Sequence, residues 1–99
     1  MNALLLQQYD RLIFTEVPDP TPEPGEVLVR VAACGICSSD VQGMDGSTGR
    51  RIPPIIMGHE AAGTIVALGP DVTAWQPGDR VTFGCAIHCG HCAYCRRGL

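Results

Sequence analysis

The run "CGHCAYCRRGL" sets Cys89, Cys92 and Cys95 at two-residue gaps. Consecutive C-x-x-C turns hold thiolates at the separation that a tetrahedral ion needs, and thiolate sulfur is a favoured zinc donor. The same run opens the bacterial ferredoxin cluster signature, but there a fourth cysteine follows after three residues and precedes proline. Here "RRGL" follows Cys95. Reduced thiols left exposed oxidise readily, so a metal is the better account of the trio. Three sulfurs leave one tetrahedral position open. Cys85, at the end of the "DRVTF" run, is the candidate side chain for it, provided the chain reverses on the way to Cys89: an extended path would span about 13 Å. His88 adjoins Cys89 and His91 sits inside a C-x-x-C turn, which makes both less suited. Water or a thiol from a second chain is the alternative fourth ligand.

A second group lies in "CGICSSD" and "GHE": Cys34, Cys37, Ser39, Asp40, His59 and Glu60. Thiolate, imidazole and carboxylate are zinc ligand types, and a catalytic zinc takes three protein ligands and keeps a position open. Cys37, His59 and Glu60 would serve. Spacing alone leaves other accounts standing. The cysteines could be small buried hydrophobes, His59 an ordinary histidine after a glycine, and Glu60 a solvated charge. Cys34 with Cys37 could form a redox pair or half a zinc clip, though no βαβ pattern accompanies them.

These residues need a scaffold, and 99 residues suffice for one domain with one modest core. A 45% hydrophobic and 17% charged composition is that of a folded protein, and a formal net charge of -3 offers nothing to nucleic acid or an anionic membrane. The start "MNALLLQQYDRLIF" lacks a basic region and a cleavage site. No run approaches the ~20 apolar residues of a membrane span. A soluble cytoplasmic protein is expected, and in a reducing cell its six cysteines are metal ligands or redox groups before they are disulfides.

The apolar runs "ALLL", "LIFTEV", "EVLVRVAA", "GTIVALG" and "DRVTF" are divided by "PDPTPEPGE", "RRIPP", "LGPDV" and "QPGDR". Short β-rich runs between Pro/Gly turns predict a mainly β fold, a barrel or sandwich. "QQYD", "PEPGE" and "PGD" read as tight turns. The best helical candidate is 38–44, capped by Ser38 or Ser39 and ended by "DGSTG". No G-x-G-x-x-G follows a strand, so no dinucleotide cradle is visible.

Together these residues resemble the medium-chain, zinc-dependent alcohol and polyol dehydrogenases, nearest the sorbitol/iditol and threonine dehydrogenase branch. The resemblance rests on "EVPDPTPEPGEVLVRVAACGICSSD", "PIIMGHEAAGTIVALGPDV", "PGDRV" and "CGHCAYCRRG", in the family's order and spacing. It implies that residues 1–99 are the N-terminal part of a GroES-like catalytic domain, a partly open β-barrel with short helical turns that stops before its last strands. It implies too a separate Rossmann domain, absent from this sequence, that binds NAD or NADP in a complete homo-oligomeric enzyme. Cys37 and His59 would bind the catalytic zinc, with Glu60 a direct or nearby ligand. Ser39 would hydrogen-bond the substrate alcohol or polyol and pass on its proton, and Asp40 would hold the second ring nitrogen of His59. Zinc would act as a Lewis acid for hydride transfer to the nicotinamide.

Cys34 has no ligand role in that pattern. Cys89, Cys92 and Cys95 would form the structural zinc lobe, whose fourth cysteine would lie past Leu99. Gln42 stands where many members carry a proton-relay histidine, and Ser38 where the polyol branch usually has glycine. The segment Gly84, Cys85 and His88 departs from the usual wording. A zinc-dependent oxidoreductase fragment, inactive alone, is therefore expected, and a non-catalytic zinc-binding scaffold module is the alternative.

Overall fold

Strands form where the sequence places its short apolar runs. The computed structural model describes residues 1–98. In chain order the elements are β1 (Asn2–Gln8), β2 (Arg11–Glu16), β3 (Val27–Gly35), α1 (Ser38–Gly43), β4 (Ile55–Ile56), β5 (Glu60–Leu68), β6 (Arg80–Thr82) and α2 (Ala93–Arg96). The fold is mainly β, as expected, and all strand pairs are antiparallel. They make two three-stranded sheets, ordered β2-β1-β4 and β3-β5-β6. Both sheets are open among the described residues and do not close into a barrel.

Residues of β1 and an alternating row of β5 make the core. Ala3 and Leu6 are buried in the first, Ala61 and Ile65 in the second, and these four are the buried hydrophobic residues among those described. Gly63 continues the inward row of β5. A Cβ there would run into the Arg30 carbonyl oxygen and lie 2.8 Å from Val29 Cγ1, so only glycine lets β3 approach this closely. The β1–β2 hairpin turns through Asp10 at φ 58°, a left-handed conformation that Asp tolerates.

The helix α1 covers most of the expected 38–44 segment, but its cap is not a serine. Cys37 occupies the N-cap, and the Asp40 carboxylate, three residues on, accepts the Cys37 N–H at 3.1 Å. The pairing of β3 with β5 sets Gly35 opposite Glu60. A β-strand ending at Gly35 and another beginning at Glu60 thus deliver Cys37 and His59 to one edge of the sheet.

Candidate metal centre

The donor atoms of Cys37, His59 and Glu60 lie within 4.8 Å of one another. Cys37 caps α1, His59 ends the turn through Gly58 at φ +115°, and Glu60 opens β5. Gly58 leaves space for Cys34, whose Sγ a Cβ there would approach to 2.9 Å. A Cβ at position 35 would come within 2.8 Å of Glu60 Oε2, so glycine at the end of β3 makes room for that carboxylate. Cys34 itself is exposed and outside the group.

Asp40 orders the imidazole. Its Oδ1 lies 3.1 Å from His59 Nδ1. A carboxylate only accepts, so the Nδ1 proton faces Asp40 and Nε2 is turned toward Cys37 and Glu60, with Nε2 4.0 Å from Glu60 Oε1. Among the described residues Asp40 is the buried charged one. Burial pushes its carboxyl up, but the Arg51 guanidinium at 2.9 Å, the Cys37 amide and the His59 charge together hold it below its ordinary value.

Ser39 donates to Cys37 Sγ at 3.4 Å and, with its own amide, lowers the Cys37 thiol; His59 adds to the effect. Thiolate, the form that binds metal, is thereby favoured. The Cys37 sulfur raises the His59 ring above its ordinary value, burial opposes this, and Asp40 adds to the rise. The thiolate and imidazolium stabilise each other, and a cation replacing the ring proton would find the same negative partners.

A cleft of about 670 Å³ opens beside these residues, lined by Ser39, Gln42, Arg51, Ile55, Met57 and His59 among others. A second recess, of about 480 Å³, reaches Cys37, His59, Glu60 and Phe83. His59 and Cys85 line both. The sequence pointed to Cys85 as a partner for the three downstream cysteines; Cys85 lines both recesses that His59 lines and is not among the Cys89, Cys92 and Cys95 group.

In that group, Cys92 Sγ lies 3.4 Å and Cys89 Sγ 3.8 Å from Cys95 Sγ. Cys92 caps α2, and its sulfur accepts the Cys95 N–H at 3.5 Å. The His91 and Cys92 amides, with the Cys92 thiol, pull the Cys89 thiol down to about 7. The Cys95 amide and thiol lower Cys92 likewise. His91 turns away, its Nδ1 2.8 Å from the Cys89 carbonyl, while Arg96 Nε donates to the His91 carbonyl at 2.9 Å and ties the loop to α2.

Residues 23–99 match the alcohol dehydrogenase GroES-like domain. The chain belongs to that family. It is similar to D-altritol 5-dehydrogenase of Agrobacterium fabrum (strain C58), 39% identical over the whole chain and 30% of the relative. It is similar as well to YdjJ of Escherichia coli (strain K12), a zinc-type alcohol dehydrogenase-like protein, at 45% identity over 89% of this chain and 26% of that one. Among solved structures, an E. coli CFT073 alcohol dehydrogenase complexed with NADH superposes with a TM-score of 0.85 at 37% identity, covering 99% of this chain and 28% of the other. The chain therefore spans less than a third of the length of these relatives.

One member of this GroES-like site, Arg51, carries no signal in the sequence. Its side chain reaches Ser39 Oγ at 3.3 Å as well as Asp40, but it stands twelve residues beyond Ser39 in a Pro/Arg-rich link that belongs to no metal-ligand pattern. Only folding shows what it touches.

Proposed function

We propose that residues 1–99 form the N-terminal part of the catalytic domain of a zinc-dependent dehydrogenase that oxidises an alcohol or polyol with NAD or NADP. The observation that carries this is the convergence of Cys37, His59 and Glu60 donor atoms within 4.8 Å at the wall of an open cleft. The soft sulfur, the neutral nitrogen and the carboxylate oxygen are a zinc donor set, and zinc when bound supplies Lewis acidity toward an alcohol oxygen. The relatives' names add support for zinc, a polyol substrate and a nicotinamide cofactor. A non-catalytic scaffold has no observation in its favour.

The remaining steps fall to the chain's own residues. Asp40 holds His59 in the tautomer that offers Nε2. Ser39, at the cleft wall and next to Cys37, is placed to accept a hydrogen bond from an alcohol bound there and, as it takes that proton, to pass its own on to solvent. Gln42 also faces the cleft; it cannot titrate, so onward proton transfer uses water or another group. Cys89, Cys92 and Cys95 would hold a second, structural zinc. Binding of the nicotinamide is the task of a separate nucleotide-binding domain, since residues 1–99 contain no phosphate cradle of the G-x-G-x-x-G kind.

Two experiments test this. The isolated chain, given zinc and a panel of polyols, is expected to show no alcohol-dependent NAD(P) reduction above background, because a positioned hydride acceptor is missing. In the complete enzyme that carries these residues, Ser39→Ala should lower the rate by about 10²-fold or more at unchanged zinc content. Loss of zinc along with the rate would make Ser39 structural and sink the relay.

A further inference from the structure

The geometry points to Arg51 as a positioning residue of the Cys37–His59–Glu60 centre, an inference that rests on the metal site proposed above. A single nitrogen of its guanidinium, Nη2, reaches Asp40 Oδ1 at 2.9 Å and Ser39 Oγ at 3.3 Å. Asp40 Oδ1 also receives His59 Nδ1, and Asp40 Oδ2 receives the Cys37 N–H. One cation therefore sets the carboxylate that orients the histidine and the hydroxyl that touches the cysteine sulfur. With one Ser39 lone pair engaged by Arg51, the Ser39 proton is directed at Cys37 Sγ and the other lone pair is left for an incoming O–H.

Two features show that this placement is built. The pair is largely out of water, with side-chain exposures of 19% for Arg51 and 11% for Asp40, and a buried carboxylate without a cation is costly. The arginine stem also lies across Gly43, at the end of α1. A Cβ there would come within 2.8 Å of Arg51 Cγ and 3.5 Å of Cδ. Gly43 is absent from the positive-φ glycines, so its backbone does not demand glycine; the passage of Arg51 does.

Residues that orient metal ligands from behind change metal affinity by about 10–100-fold when removed. The test uses the full chain and Cd²⁺ as the probe metal. The ¹¹³Cd resonance of a one-sulfur site is well separated from that of a three-sulfur site, so competition with a chelator reads each affinity in the same sample. Arg51→Met is expected to weaken Cd²⁺ at the one-sulfur site by about 10–100-fold and leave the three-cysteine resonance unchanged. Gly43→Ala, which touches no ligand, should produce the same selective loss by displacing the stem. Arg51→Lys, which keeps a cation with several donors, should recover part of it. If Arg51→Met proves unfolded, Gly43→Ala and Arg51→Lys decide. Parent-like affinity in folded Arg51→Met and Gly43→Ala overturns the assignment. A parent chain with no one-sulfur resonance at all overturns the underlying metal site, and Arg51's role with it.

Discussion

Cys89 shows how backbone amides, with a neighbouring thiol, can prepare a thiolate. Its thiol is lowered from 9.0 to about 7, first by the His91 amide and then by the Cys92 amide and thiol. A lowered pKa means that thiolate accumulates above about pH 7 and is lost below it. In the metal-free chain, the rate of Cys89 alkylation by iodoacetamide, followed by peptide mass spectrometry, should therefore rise through about pH 7. His91→Ala should leave the midpoint in place, because the amide and not the imidazole faces the sulfur. A midpoint at the ordinary 9.0 would remove the prepared thiolate. At this scale the candidate donor types and spacings of Cys37, His59, Glu60 and the cysteine trio, two sets that the structure each groups within 4.8 Å, were legible in the sequence, since C-x-x-C turns and a Gly-His-Glu turn are local. Arg51 and Cys85 were not. The first acts across twelve residues through side-chain reach, and the second was expected beside Cys89 by nearness in sequence, whereas after β6 it lines the recesses that His59 also lines.

Among the elements, the β3–β5 pair has the least tolerance, because it spaces the two ends from which Cys37 and His59 emerge. Gly63→Ala forces a methyl against the Arg30 carbonyl, a backbone group that cannot move without breaking the ladder. Overpacking of this kind costs about 1–3 kcal/mol, and the urea midpoint should fall accordingly. Gly84→Ala is the control: nothing lies within 4 Å of where its methyl would stand, and its stability should stay within about 0.5 kcal/mol of the parent. Equal midpoints for the two variants would show that β3 can yield. The strands themselves were readable from short β-rich runs between Pro/Gly turns. Two-residue β4 was not, because "PIIMG" is too short for a period. Nor was the cap of α1, because the reach of Asp40 back to the Cys37 amide depends on how β3 ends.

Among the described residues, few apolar side chains are fully buried. Four hydrophobic residues are buried, while Phe14 remains 73%, Ile36 81% and Ile87 100% exposed. Beyond Thr82 at the end of β6, the only element among the described residues is the short helix α2, so the three cysteines are the strongest local tie for that stretch. With so little hydrophobic burial, bound metal should be a large share of the stability. A ligand that binds only the folded chain adds about 2.7 kcal/mol at one hundred times its dissociation constant. For a domain of 60–100 residues each kcal/mol moves the melting temperature by about 4–8 °C. Zinc at that concentration should thus raise the thermal midpoint of the chain by more than about 10 °C, and a chelator should reverse the rise. Cys92→Ser removes a sulfur while its hydroxyl can still cap α2, so this variant should keep only the part of the rise due to Cys37, His59 and Glu60. A midpoint indifferent to zinc in the parent chain would mean that neither group holds metal in the folded state, and that the open sheets are stable on their hydrogen bonds and thin core alone.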